Sequence, residues 1–148
     1  MKKLFSLCFI IAASIMGLSA QEYKVITSVE SIVPMGLGRS RIIDSKQQVD
    51  YKKLTTQRTD GKDSDQDKVD RSDAKIDNLE ETKLLNFYSG VGINFQNIAS
   101  NDALITSKLN EMAKEGWELV FVTSGVESDA GKDDGKGIFV TRYVFKKK

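Results

Sequence analysis

Histidine does not occur anywhere in the 148 residues, and cysteine occurs once, as Cys8. These two absences remove the Ser-His-Asp triad, the Cys-His pair and the usual zinc ligand sets from consideration. Charge of one sign is also missing: 22 Lys+Arg stand against 21 Asp+Glu. Nothing in that balance favours nucleic acid or an anionic membrane as a partner. Proline occurs once, as Pro34, and tryptophan once, as Trp117.

The longest hydrophobic run lies at the start. Lys2 and Lys3 precede "LFSLCFIIAASIMGL" (4–18), and Ser19-Ala20-Gln21 follow. A charged head, an apolar stretch and a small-residue exit describe a secretory signal peptide over 1–20. The polar "QEYK" arrives too soon for a membrane span, which needs about 20 apolar residues. Cleavage after Ala20 is preferred, with Ser19 as the competitor. Cys8 sits too early in the run to be a lipid-anchored cysteine, and it leaves with the signal. Loss of Lys2 and Lys3 turns 22 against 21 into 20 against 21, a net charge of −1. The mature chain, 21–148, is expected to be one exported domain of the periplasm or cell exterior without disulfides.

"YKVITSVE" (23–30) alternates β-branched residues with period two and predicts a first strand. Pro34, Gly36 and Gly38 mark a turn, after which "SRIID" predicts a short second strand. Between Asp60 and Asp73, six of fourteen residues are Asp and Val69 is the only aliphatic one. Such composition cannot offset the entropy of ordering, so 45–78 is predicted to be a polar, disordered insertion. Apolar density returns in "LLNFYSGVGINFQNIAS" (84–100 in part), with a strand favoured over 84–89.

A helix is predicted over 102–115. Ser100 or Asn101 serves as N-cap, Asp102 suits the dipole, and Ile105, Leu109, Met112 and Ala113 recur at helical spacing. Lys108, Glu111 and Lys114 are placed on the wet side as i,i+3 pairs. Gly116 is the residue past the C-cap, where a left-handed backbone is cheapest for glycine, and Trp117 folds back toward Met112. A strand follows, with Trp117, Leu119 and Phe121 expected on one face and Val120 and Val122 on the other. The polar "SGVESDAGKDDGKG" then connects to "IFVTRYVF" (138–145), which alternates again and completes a long-tipped hairpin.

The order "EYKVITSVE", "LITSKLNEMAKEGWELVFV", "FVTRYVFKK" resembles the small bacterial family catalogued as domain of unknown function 4177. Its pattern is a YKV strand, a helix ending in EGWELV, and a closing strand rich in aromatic and basic residues. The resemblance covers about 22–30 and 101–147, and implies an α+β fold with an antiparallel sheet of 3–4 strands and one helix on one face. It brings no catalytic residue. Some seventy residues between the first strand and the helix depart from the family's compact form.

Other motifs are weak. Asp63, Asp65 and Asp67 occupy the first, third and fifth positions of a calcium loop, but Lys68 stands where Gly belongs and Ala74 where Glu belongs. "GKDDGKG" (131–137) lacks the Walker spacing, and "GLGRS" (36–40) lacks a strand-to-helix context. Arg39 and Arg41 read as surface, and Glu118 as the wet side of its strand. No catalytic, cofactor-binding or metal site is assigned. The reading is a non-enzymatic binding module whose partner is a protein or envelope component, with an Asp/Glu-dependent hydrolase as the alternative. Both side-chain sets of 138–145 are apolar, so the sheet's second face needs a cover. Coverage by 84–98 in a monomer is favoured over a homodimer.

Overall fold

The computed structural model describes residues 21–33, 39–127 and 137–147. The segments predicted as signal peptide (1–20), most of the "GLGRS" turn and most of the 124–137 connection lie outside these residues. Strands β1 (Tyr23–Ser31), β2 (Arg41–Ser45), β3 (Leu79–Lys83), β6 (Trp117–Glu127) and β7 (Ile138–Lys147) form one sheet in the order β3-β2-β1-β7-β6. All four pairings are antiparallel. Two residues each from β4 (Tyr88–Ser89) and β5 (Gly92–Ile93) make a separate ribbon. The sheet thus exceeds the expected 3–4 strands, and the extra member is β3. "LEETK" shows no apolar alternation because an edge strand whose five residues are all exposed needs none.

One long helix, α2 (Phe95–Lys114), packs on one face; α1 (Arg71–Ala74) is a single exposed turn. Its stripe of Ile105, Leu109 and Met112 meets Ile26, Ile42, Leu84, Trp117 and Phe145 in the core. The helix begins seven residues earlier than the predicted start at 102. Asn94 is the N-cap, its side chain accepting from the Asn97 amide. "FQNIAS" is poor in strong helix formers, so propensity gave no sign of this first part; packing of the helix on the sheet supplies what propensity lacks. Asn101 is therefore no cap: it lies inside the helix and is fully buried.

The far end follows the glycine argument. Gly116 has φ +85°, and its amide donates to the Ala113 carbonyl at 3.1 Å. A Cβ there would meet nothing within 4 Å, so the demand for glycine comes from the backbone angle alone. Trp117 leaves this turn 8% exposed, with the Lys147 ammonium 4.6 Å from its ring centroid.

Beyond Trp117 the expected single face is broken. Leu119 pairs with Phe145 but Phe121 pairs with Val144, so Val120 is the extra residue of a β-bulge. Trp117 and Leu119 face the helix, and Phe121 is turned to the opposite side. An extra residue inverts the parity of everything after it, and alternation alone does not announce it.

The strand expected over 84–89 is reduced to Tyr88–Ser89, which is β4, and residues 84–87 are not in a strand. Residues 84–87 instead cross the helix-side end of the sheet, where Leu84 enters the core and Phe87 meets Phe139 with centroids 5.8 Å apart. Residues 84–87 therefore pack on the face occupied by α2, and 95–98 are the first turn of α2 itself, so the expected cover of the second face by 84–98 is not formed by these parts. Residues 46–78 form the long tip of the β2–β3 hairpin, with single exposed turns at Tyr51–Leu54, Asp65–Lys68 and Arg71–Ala74 and no buried side chain.

Trp117→Ala removes a buried aromatic and is expected to cost about 3–5 kcal/mol in denaturant unfolding. Gly116→Ala is expected to cost about 1–2 kcal/mol, the penalty of placing a Cβ on a left-handed backbone. Replacing 48–77 by a short Gly/Ser linker should leave the thermal midpoint within a few degrees, because loop length enters closure entropy only logarithmically. Failure of that shortened chain to fold would place the tip in the folding unit.

Candidate functional site: a buried carboxylate and an open sheet face

Strand β2 reads Arg41-Ile42-Ile43-Asp44-Ser45, and alternation puts Asp44 on the same side as the core residue Ile42. An acid on a core-facing position must find positive partners or lose its charge. Asp44, 2% exposed, finds three. Lys24 Nζ from β1 lies 2.9 Å from Oδ1, Lys46 Nζ 3.0 Å from Oδ2, and Lys108 Nζ from α2 3.1 Å from Oδ2. Lys24 is aligned as a hydrogen bond donor to Oδ2, at 3.2 Å, and Oδ1 accepts no directed hydrogen bond. The near charge at Oδ1 is thus electrostatic contact without hydrogen-bond geometry. Burial alone would raise the Asp44 carboxyl, but the three ammonium groups outweigh it and hold it below the ordinary carboxylate range. Lys46, hydrogen-bonded to Asp44 and Glu80, is pushed up to about 12.

Lys108 was expected on the wet side of the helix. Its stem runs inward instead, leaving the side chain 14% exposed, while it also reaches Glu111 at 3.5 Å. The acid on the core parity of "RIID" was the sequence signal for this cluster. Three lysines, Asp44, Glu80 and Glu111 neutralise one another. A groove of about 620 Å³ opens beside the cluster between Tyr23, Lys24, Lys46, Val49 and Trp117.

A second polar group pins the irregular backbone of 84–87. Asn101 accepts from the Leu85 amide at 2.8 Å and donates to the Leu85 carbonyl at 2.7 Å and to Glu30 at 2.9 Å. Ser40 accepts from the Ser31 amide through Oγ at 2.9 Å and donates from it to Asn86 at 2.6 Å. Side chains thereby stand in for the ladder that a strand here would have supplied. Burial raises the Glu30 carboxyl; the Asn101 hydrogen bond opposes this and the nearby Asp102 adds to it.

The second face is built from the alternate set of the register. Val25 pairs with Val144, Val29 with Val140, Thr27 with Ile43 and Arg142, and Val144 with Phe121. Among the described residues, no helix or strand packs across this face. Phe121 is 61% exposed and Val25 46%. A shallow groove of about 360 Å³ lies at one end, between Val29, Arg39, Arg41, Ile43, Glu81 and Ile138.

The other residues singled out in the sequence are dispersed. Asp65 pairs with Lys68 at 2.8 Å and Asp63 approaches Arg58 at 3.9 Å, both in the solvated tip. Among the described residues, no three acidic, His or Cys side chains are grouped to hold a metal. Glu118 pairs across strands with Lys146 at 3.5 Å, and Arg41 pairs with Glu81. Among the described residues, no helix is long and apolar enough to cross a membrane.

Comparison with known proteins found no matching family model, no similar curated protein and no similar solved structure. The geometry of the chain itself carries the functional argument.

Removing Asp44 leaves three ammonium groups crowded without their counter-ion. Asp44→Asn is expected to cost about 3 kcal/mol, the lower end of the range for breaking a buried pair, since the lysines can turn toward water. Lys46→Met, at 34% exposure, should cost under about 1 kcal/mol. The pH profile follows from the same shifts. The lowered Asp44 carboxyl stabilises the fold above its unfolded value near 3.9 and loses this as pH falls through the lower folded value. The raised Lys46 contributes fully below 10.5 and loses this as pH rises through about 12. Thermal melts of the native chain should fall off at both of these ends, and Asp44→Asn should flatten both limbs.

Proposed function

We propose that this chain is an exported, non-enzymatic binding module of the bacterial periplasm or cell exterior, with the architecture of the domain of unknown function 4177 family. The observation that carries the reading is the second sheet face: apolar rows of Val25, Val29, Ile43, Val140, Val144 and Phe121 with no described element across them. An antiparallel sheet that faces water on one side ordinarily shows polar residues there, whereas this face sets apolar rows on either side of a polar row of Thr27, Thr123 and Arg142. The family resemblance is supported by "EGWELV" lying at the helix-to-strand junction, with Gly116 in the left-handed turn. The export reading rests on the composition of residues 1–20.

The face suits a flat, largely apolar partner surface carrying an acidic group, because Arg142 stands exposed between the apolar rows. The hydrolase alternative gains nothing from Asp44: a carboxyl held ionised by three ammonium groups cannot serve as a general acid.

Val25→Lys together with Arg142→Glu changes the apolarity and the charge of this face at two exposed positions. The double variant should keep its thermal midpoint within a few degrees of the parent. Its retention of envelope components on an immobilised column should drop at least tenfold. Equal retention by parent and variant would overturn the reading.

A further inference from the structure

The two edges of the sheet are built differently. β3 carries Glu80, Glu81 and Lys83 along its five exposed residues. β6 has eleven residues, ten of them exposed, and no charged residue or proline from Leu119 to Val126. Its inner side is paired to β7 along its length and, among the described residues, its outer side has no strand partner. Charges on β3 discourage strand addition, whereas a long, neutral, apolar edge invites it.

We propose that β6 is a homodimer seam: two copies join antiparallel through β6, about a two-fold axis at Val122, into one continuous sheet of twice five strands. This does not depend on the binding role proposed for the second face. The sequence of β6 is self-complementary in that register. Val122 meets Val122 of the second copy, and Phe121 meets Thr123. Passing the bulge at Val120 as β7 does, Leu119 meets Ser124, Glu118 meets Gly125 and Trp117 meets Val126. Leu119 and Glu118 thus oppose the small Ser124 and Gly125, the β-branched Val122, Thr123 and Val126 meet Val122, Phe121 and Trp117, and each pair lies on one face of the joined sheet.

Charge selects this register over the one with its axis at Thr123. Shifting the axis to Thr123 keeps the faces but sets Glu118 against Glu127 twice, a like-charge pairing. Shifting by a single residue step puts helix-side residues opposite second-face residues. Head-to-tail growth through β3 is opposed by the charges there, so the contact closes as a dimer and does not propagate as a fibre.

The chain from Gln21 holds all the described elements and contains no cysteine, so a single introduced thiol reports the seam cleanly. Directly opposed residues in an antiparallel pair have Cα atoms about 4.5–5.5 Å apart, within reach of a disulfide. Val122→Cys should convert mostly to a disulfide-linked dimer under mild oxidation. Val126→Cys, about 25 Å from its copy at the strand rise per residue, should stay monomeric. The unmodified chain should sediment as a dimer at tens of micromolar. Val122→Lys, which sets two ammonium groups face to face, should weaken that dimer at least tenfold with an unchanged melt. A monomer at 100 micromolar overturns the proposal. So does a dimer that persists in Val122→Lys and fails to cross-link through Val122→Cys, since its seam would then lie elsewhere.

Discussion

One buried negative charge organises the helix side of this protein. Asp44 belongs to β2, Lys24 to β1, Lys108 to α2, and Lys46 opens the hairpin tip and reaches on to Glu80 in β3. Three pieces of chain far apart in sequence, around residues 24, 44–46 and 108, thus share one carboxylate. Among the described residues the apolar core beside it is small: six buried hydrophobic side chains, of which Trp117 and Phe145 are aromatic. Six side chains of that kind are a modest driving force for a domain of this length. The ion cluster does what a larger core would otherwise do, which is to fix where the helix lies along the sheet. Apolar packing tolerates sliding, whereas an ammonium at 3.1 Å from its carboxylate does not.

The long, regular elements were legible in the sequence. β1 and β7 could be read from period-two alternation, and the end of α2 from Gly116, because a left-handed turn leaves one residue type with little competition. Three features were not legible, for separate reasons. The first turns of α2 contain Phe95, Asn97, Ile98 and Ser100, residues of middling helix propensity, and are helical because the sheet is there to pack against. β3 is exposed on both sides, so burial imposes no pattern on its residues. The bulge at Val120 adds one residue within a continuous apolar run, where nothing in "ELVFV" distinguishes a paired residue from an unpaired one.

The site followed the same divide. The second face was visible as excess apolarity in 138–145, yet its absence of cover from 84–98 was not. That segment carries Leu84 and Phe87, which are as fit for the helix side as for the other. Asn101 looked like a cap because asparagine beside a helix usually is one; its position on the inward stripe with Ile105 and Met112 was the clue to a buried role. Lys108 looked solvated because lysine usually is. Only its partner on the core parity of β2, Asp44, gives a lysine there reason to turn inward.

The order of strands has a consequence for how the chain acquires its shape. β1, the first described strand, lies between β2 and β7, and β7 is the last. A polypeptide emerging from its N-terminus can zip β1 to β2 early. The other side of β1 then waits for the final strand to appear, with its amides and carbonyls turned to water. Only the arrival of β7 joins the early half to β6 and closes the core around Phe145. A nascent chain halted before Ile138 therefore holds a three-stranded piece of sheet and a lone strand β6, and the ten residues of β7 decide between those parts and a folded protein.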